Sequence, residues 1–258
     1  MALQSCASTP MQGKTSMTEH AFVLWIGGDS DPAALPDQTG NVPRALRTSA
    51  CTDENPFTHW ADVIAYVLLE RAPKSNNWDL RDAQVLQRHA NGEKKMLQAF
   101  FQAMEVYPDA RIVTFDGLRL ELAMLRARAL TYRLAAPAPL VAATMGQPPH
   151  IDLRRALSAV HGEEAPHLEA VGAVLQLPDG TAAGLKTATI VSPVNINASF
   201  AGIYLSKAIT VAALFLHHEL YSERLDAAEH QSSCSNLRTA VQCLESRRQV
   251  PAGLAQQI

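Results

Sequence analysis

Aromatic side chains are scarce, at 6% of the 258 residues, and long apolar runs are missing. No stretch reaches the roughly 18 consecutive apolar residues of a membrane-spanning helix, so no membrane span is expected. The four cysteines, Cys6, Cys51, Cys234 and Cys243, include no CxxC pair and no zinc-ligand spacing. That scatter reads as reduced thiols in a cytoplasmic protein, not as a disulfide framework. Gly27-Gly28 lacks any GxGxxG or P-loop context, so a glycine-rich phosphate cradle is unsupported. Positive charge is not in excess either: 22 Lys and Arg stand against 25 Asp and Glu, a formal net charge of −3. Proteins held on nucleic acid by bulk electrostatics are basic, so any such contact here must be local. The opening segment, MALQSCASTPMQGKTSMTEH, has no apolar core of the signal-peptide kind and reads as a disordered extension over residues 1–19.

What remains is a chain with 47% hydrophobic and 18% charged residues, enough to bury one sizeable core. Ala21 to Ile26 (AFVLWI) is a short apolar run stopped by Gly27-Gly28 and predicts a buried strand. Residues 29–58 read as a long loop. Ala61 to Leu69 predicts a second strand, and Ala83 to Leu86 a third. In Gly92 to Tyr107 the residues Met96, Leu97, Phe100, Phe101 and Met104 fall on one helical face. Arg111 to Phe115 (RIVTF) predicts a strand, followed at once by a helix over Leu118 to Leu134. A Pro-rich turn follows. Residues 151–162 and Leu168 to Leu175 are predicted helical, 177–196 loop, and Phe200 to Leu220 a long apolar helix. A domain over 20–228, with a helical or polar tail over 229–258, is the organisation this suggests. A strand between two helices fits a parallel crossover.

At residues 93–130 the sequence becomes specific. EKKMLQAFF followed by RIVTFDGLRLELAMLRARAL is similar to the predicted 3′–5′ exonucleases related to the proofreading domain of B-family DNA polymerases. That family reads Glu-Lys-x-x-Leu-x-x-Phe-Phe, then a strand ending Thr-Phe-Asn-Gly, then x-x-Phe-Asp-Leu-Pro-x-Leu-x-x-Arg-Ala-Leu. His150-Ile151-Asp152-Leu153 resembles its His-x-Asp-Leu segment, and Leu168 to Pro178 its stretch leading to Gly-Leu-Pro. LWIGGDSDP (Leu24 to Pro32) lies over its Phe-Asp-Ile-Glu-Thr-x-Pro-Asp-Pro, and Tyr204 stands where the family has Tyr-x-x-x-Asp-Val. The resemblance covers roughly residues 20–226. It implies an RNase H-like α/β domain: a mixed central sheet, three antiparallel strands followed by parallel ones, flanked by helices.

The resemblance also implies a reaction, and the residues for it. Such exonucleases hold two Mg²⁺ or Mn²⁺ ions about 3.5–4 Å apart, which activate water and stabilise the leaving 3′ oxygen. Hard dications want oxygen ligands, so four carboxylates from distant segments converge on them. Carried over position by position, the first Asp falls on Trp25 and its partner Glu on Gly27. The third falls on Glu121, and the fourth on Ala208, four residues after Tyr204. The family's Asn before Gly is Asp116. One carboxylate in four survives in kind.

Three readings stay open. The first is a catalytically degenerate homologue that binds single-stranded nucleic acid or a protein partner and needs no cofactor. The second is an active Mg²⁺- or Mn²⁺-dependent enzyme with ligands rewired through Glu121, Asp29, Asp31 and Asp116. The third is a scaffold without a nucleic-acid role. Each residue also has a plainer explanation. Asp31-Pro32 fits a turn, Asp116 an N-cap, and Asp152 a cap on the next helix. Arg119, Arg126 and Arg128 read as a solvated face, with phosphate contact as the alternative. His217 and His218 point apart on a helix and suit its C-terminal dipole better than a metal.

Overall fold

The computed structural model describes residues 18–30, 59–73, 75–118, 121–145, 150–161, 167–177 and 196–258. Residues 1–17 of the expected N-terminal extension, residues 31–58 of the expected 29–58 loop with Asp31, most of the 177–196 loop and Arg119 lie outside the described residues. Glu19, Asp29 and Ser30, expected outside any strand, belong to the first strand.

Five strands form one sheet: β1 (Glu19–Ser30), β2 (His59–Arg71), β3 (Trp78–Gln87), β4 (Arg111–Thr114) and β5 (His150–Asp152). Their order is β3-β2-β1-β4-β5. β1 pairs antiparallel with β2 and parallel with β4, while β2–β3 is antiparallel and β4–β5 parallel. This is the mixed α/β sheet of an RNase H-like exonuclease domain, with β1 central and adjacent to β4 as the resemblance required.

Central position explains the composition of β1. A strand covered on both faces reads as a continuous apolar run, not as an alternation. Phe22, Leu24 and Ile26 pack on one side against α2 (Glu93–Glu105) and α3 (Glu121–Tyr132), through Phe100, Leu122 and Leu125. Ala21 and Val23 turn the other way, onto the long helix α7 (Ile196–Tyr221). α7 is apolar around most of its circumference because it fills the space between the sheet and α8 (Ala227–Ser246). α8 opens on a capping box: Asp226 accepts from the Glu229 backbone N–H, and Glu229 accepts from that of Asp226. It then packs on the sheet edge, where Ser233 Oγ accepts from the Trp78 backbone N–H at 2.9 Å.

Smaller elements complete the domain: α1 (Arg88–Asn91), α4 (Ala138–Thr144), α5 (Leu153–His161) and α6 (Leu168–Leu175). Two differ from the sequence reading. The Pro-rich turn contains α4, whose first turn holds Pro139, a position where the missing N–H costs nothing. His150–Asp152, expected at or inside the start of a helix, is instead the fifth strand, recruited by pairing with Ile112–Thr114. No helix among the described residues is long and apolar enough to cross a membrane.

Candidate functional site

β1 and β4 are paired only at Ala21–Val23 with Arg111–Val113. Beyond Val23 that pairing ends, and the region at the C-terminal ends of these two parallel strands, the usual place for a site in such sheets, is called the crevice below. The β1–β2 ladder is irregular at the same level. Gly27 pairs with Val63 and Gly28 with Ala61, leaving Asp62 as the extra residue of a bulge.

Every position to which the resemblance assigns a role and which the structure describes lies on this crevice or on the helices that wall it. Trp25 and Gly27 alternate with Val23 on the β1 face that looks toward α7. Trp25 is half-buried there, with Lys207 Nζ 4.7 Å from its ring centroid. At Gly27 the close neighbour is Tyr204 of α7. A Cβ at Gly27 would lie 2.6 Å from Cζ of Tyr204 and 2.7 Å from its hydroxyl oxygen, so the tyrosine ring occupies the volume a side chain would need. Burial, and then the Asp62 carboxylate, raises the pKa of Tyr204. Ala208, one turn along α7, is fully buried in the core.

Glu121 stands at the start of α3 and is only 4% exposed. Its Oε1 accepts from the Ile26 backbone N–H at 3.1 Å, satisfying a β1 donor that β4 no longer reaches. Its Oε2 is buried with no hydrogen-bond partner among the described residues. Burial pushes its pKa well up, against the Ile26 hydrogen bond, and the carboxylates of Asp152 and Asp116 push the same way. Glu121 is therefore held toward its neutral acid.

Asp116 is not the helix N-cap expected of it. It takes a left-handed conformation, φ 68°, ahead of α3, and its carboxylate ion-pairs with Arg154. That conformation suits Asn and Asp more than other non-glycine residues, which accounts for an Asn-or-Asp position before Gly117. A Cβ on Gly117 would collide with the Thr114 side chain, so the turn admits only glycine there. Asp152 closes the same turn, accepting from the backbone N–H groups of Asp116 at 3.0 Å and Leu118 at 3.3 Å. It also accepts from Arg155 N–H at 3.3 Å, the capping contact expected of it. His150, on the same strand, shares a 2.9 Å hydrogen bond with Thr114 Oγ1 through Nε2.

The arginines of α3 separate. Arg126 is exposed. Arg128, read as part of a solvated or phosphate-contacting face, is 4% exposed. Its guanidinium grips Glu93 with Nε 2.9 Å from Oε1 and Nη2 2.7 Å from Oε2. Tyr132 donates to Glu93 Oε2 at 2.7 Å, and the Ala61 backbone N–H to Oε1 at 2.8 Å. This buried cluster ties α2, α3 and β2 together behind the crevice. Sequence spacing contained a signal for it, because Arg128 lies three residues after Leu125 and seven after Glu121, on the inward face.

The residues at the four family positions do not fit two dications. One is an indole, one is a glycine whose side-chain volume a tyrosine fills, and one is a core alanine. The fourth is a buried carboxyl whose pKa burial raises. Asp29 has its backbone in β1, opposite Trp60, at the far end of the bulge. Among the described residues no three His, Cys, Asp or Glu side chains are arranged to hold a metal.

No curated protein matches this chain. A family described as "Predicted 3'-5' exonuclease related to the exonuclease domain of PolB" matches residues 56–256. The match begins after β1, so the first motif is located by the sheet itself: the strand between β2 and β4 is the one carrying Trp25 and Gly27. Match and topology agree, and the chain belongs to the family of predicted 3′–5′ exonucleases related to the exonuclease domain of PolB.

Proposed function

We propose that this chain is a catalytically degenerate member of the family, retaining the crevice as a binding surface for a single-stranded nucleic-acid end. The observation that carries the reading is the Tyr204 ring seated against Gly27. In a two-metal site that space belongs to a carboxylate and its ions; here it is protein. Glu121 is the one carboxyl at the four family positions, and a single ligand does not offset the cost of stripping water from Mg²⁺ or Mn²⁺. Asp116, a ligand in the rewired alternative, is engaged by Arg154.

The binding half of the proposal rests on Trp25 and Lys207. An indole at the mouth of a crevice, with an ammonium beside it, is a surface on which a base stacks while its phosphate meets a cation. The near-neutral chain makes such contact local, and affinity modest. Calorimetric titration with Mn²⁺ followed by a short oligonucleotide tests both halves. No micromolar two-ion binding is expected, while the oligonucleotide should bind and quench the emission that a Trp25→Phe variant lacks. Two Mn²⁺ per chain at micromolar affinity would overturn degeneracy. Absence of strand binding would favour a protein partner or a scaffold role.

A further inference from the structure

A second indole lies on the side of the sheet that carries Trp25. On β2, Ala65, Val67 and Leu69 pack toward α7, while Ala61, Ile64 and Tyr66 pack the other way. Side chains alternate along a strand, so Trp60, next to Ala61, belongs with Trp25 on the α7 side. The register sets Trp60 opposite Asp29, four residues beyond Trp25 in β1. At about 3.3 Å per residue the two indoles stand about 13 Å apart along the strand direction.

Trp60 is partly exposed and, unlike Trp25, is packed into neither hydrophobic core of the described residues. Its companion is Arg88, the first residue of α1, whose guanidinium carbon lies 4.2 Å from the centroid of the indole ring. Asp62, the extra residue of the β1–β2 bulge, fixes that guanidinium by accepting from its Nε. The Nη groups carry four of the five guanidinium donors and bond to no other described residue. Arg88 keeps 35% of its side-chain surface exposed, so these donors are within reach of a ligand. Asp62 also raises the pKa of Tyr204, second to burial, which puts this group beside the ring seated on Gly27. Trp25 with Lys207, Tyr204 over Gly27, and Trp60 with Arg88 thus follow one another along one side of the sheet.

We propose that Trp60 and Arg88 form a second base-and-phosphate subsite, so that a single strand in the crevice is gripped at two points. The inference rests on the reading of Trp25 and Lys207 as a strand-binding surface. A base stacks on the indole and guanidinium pair, as bases do on aromatic rings and on arginine planes. The Nη edge takes the adjoining phosphate in forked geometry, while Asp62 holds the plane through Nε. Stacked nucleotides advance about 3.4 Å each, so about 13 Å is about four steps, and a strand of about five nucleotides spans both subsites.

Thymidine strands of increasing length, from a dinucleotide to an eight-nucleotide strand, are titrated into the full chain and followed by calorimetry and tryptophan emission. Affinity for the unmodified chain should rise up to about five nucleotides and level off beyond. Trp60→Ala should weaken binding of the longest strand by about fivefold or more, the least loss expected when one stacked base is released. It should affect the dinucleotide far less, because Trp25 and Lys207 remain to bind it. Arg88→Lys keeps the charge but loses the plane and the fork, and should likewise weaken the longest strand more than the dinucleotide. In Trp25→Phe the longest strand should still quench emission, through Trp60, because Trp78 is 1% exposed. Unchanged affinity for the longest strand in Trp60→Ala, or equal losses at both lengths, would overturn the second subsite. Binding weakened by Trp25→Ala and not by Trp60→Ala would overturn it and leave the reading of the crevice standing. Absence of any strand binding to the unmodified chain would overturn both. Should Trp60→Ala fail to fold, the length series on the unmodified chain decides, and affinity that does not rise beyond the dinucleotide overturns the proposal.

Discussion

The two faces of β1 carry charge differently. Toward α2 and α3, the buried Glu93 is fully matched: it receives two bonds from Arg128, one from Tyr132 and one from the Ala61 backbone. Toward α7, the positions that would carry charge hold an indole, a glycine under a tyrosine ring, and a buried alanine. The first face keeps the family's Glu-Lys and Arg-Ala-Leu residues and uses part of them as structure. On the second, the Tyr204 ring occupies the volume that a side chain at Gly27 would need.

The largest effect should come from breaking the matched face. Glu93→Ala leaves the Arg128 guanidinium buried and unpaired, and should cost about 3–5 kcal/mol in urea denaturation. Replacing both partners by apolar residues of similar volume should cost far less, since no charge is then stranded. A Glu93→Ala loss well under 1 kcal/mol would mean the pair is not the strut described.

A smaller effect is expected on the refilled face. Gly27→Ala forces a methyl into the Tyr204 ring and should destabilise by about 1–3 kcal/mol, as overpacking does. In a Tyr204→Ala background the same change should be close to neutral, and that coupling is what a double-mutant cycle measures. Additive losses would show that the ring does not occupy the space. The same contact means that a Gly27→Glu restoration of the family pattern cannot be accommodated while Tyr204 keeps its place.

The subtlest test concerns pH. Glu121 has a folded-state pKa raised by burial above its ordinary 4.5. The folded state therefore holds its proton more tightly than the unfolded chain does. Stability from this group is fully present below the unfolded value and is lost as pH rises through the folded one. Glu121→Gln keeps an acceptor for the Ile26 N–H without the ionisation. Its unfolding midpoint should fall less, as pH rises above the ordinary carboxyl value of 4.5, than that of the unmodified chain. Parallel curves would contradict a neutral Glu121.

Much of this architecture was legible in the sequence, for definite reasons. AFVLWI and RIVTF are short apolar runs, the first stopped by Gly27-Gly28 and the second by Asp116-Gly117, as buried strands are. What escaped was short or non-local. β5 has three residues and becomes a strand only through β4, so its Asp152 signals a helix cap as strongly as a strand end. α4 hides between prolines. Arg128 seemed solvated because its partner lies 35 residues away. His217 and His218, expected as cations at a helix end, both have pKa values lowered by burial, and the neighbour of His217 is His230 on the next helix. At the site, the resemblance assigned four carboxylate positions to Trp25, Gly27, Glu121 and Ala208, of which Glu121 alone carries a carboxyl. It could not reveal that the Tyr204 ring lies where a side chain at position 27 would stand.

The central claim is that the crevice no longer performs two-metal hydrolysis, and a cleavage assay tests it most directly. The unmodified chain and a Glu121→Ala variant would be incubated with 3′-labelled and 5′-labelled single-stranded DNA and RNA, with Mg²⁺ or Mn²⁺. The account predicts equal, background-level degradation by the two proteins. A metal-dependent 3′–5′ ladder from the unmodified chain, abolished by Glu121→Ala, would contradict it and establish a site rebuilt around Glu121.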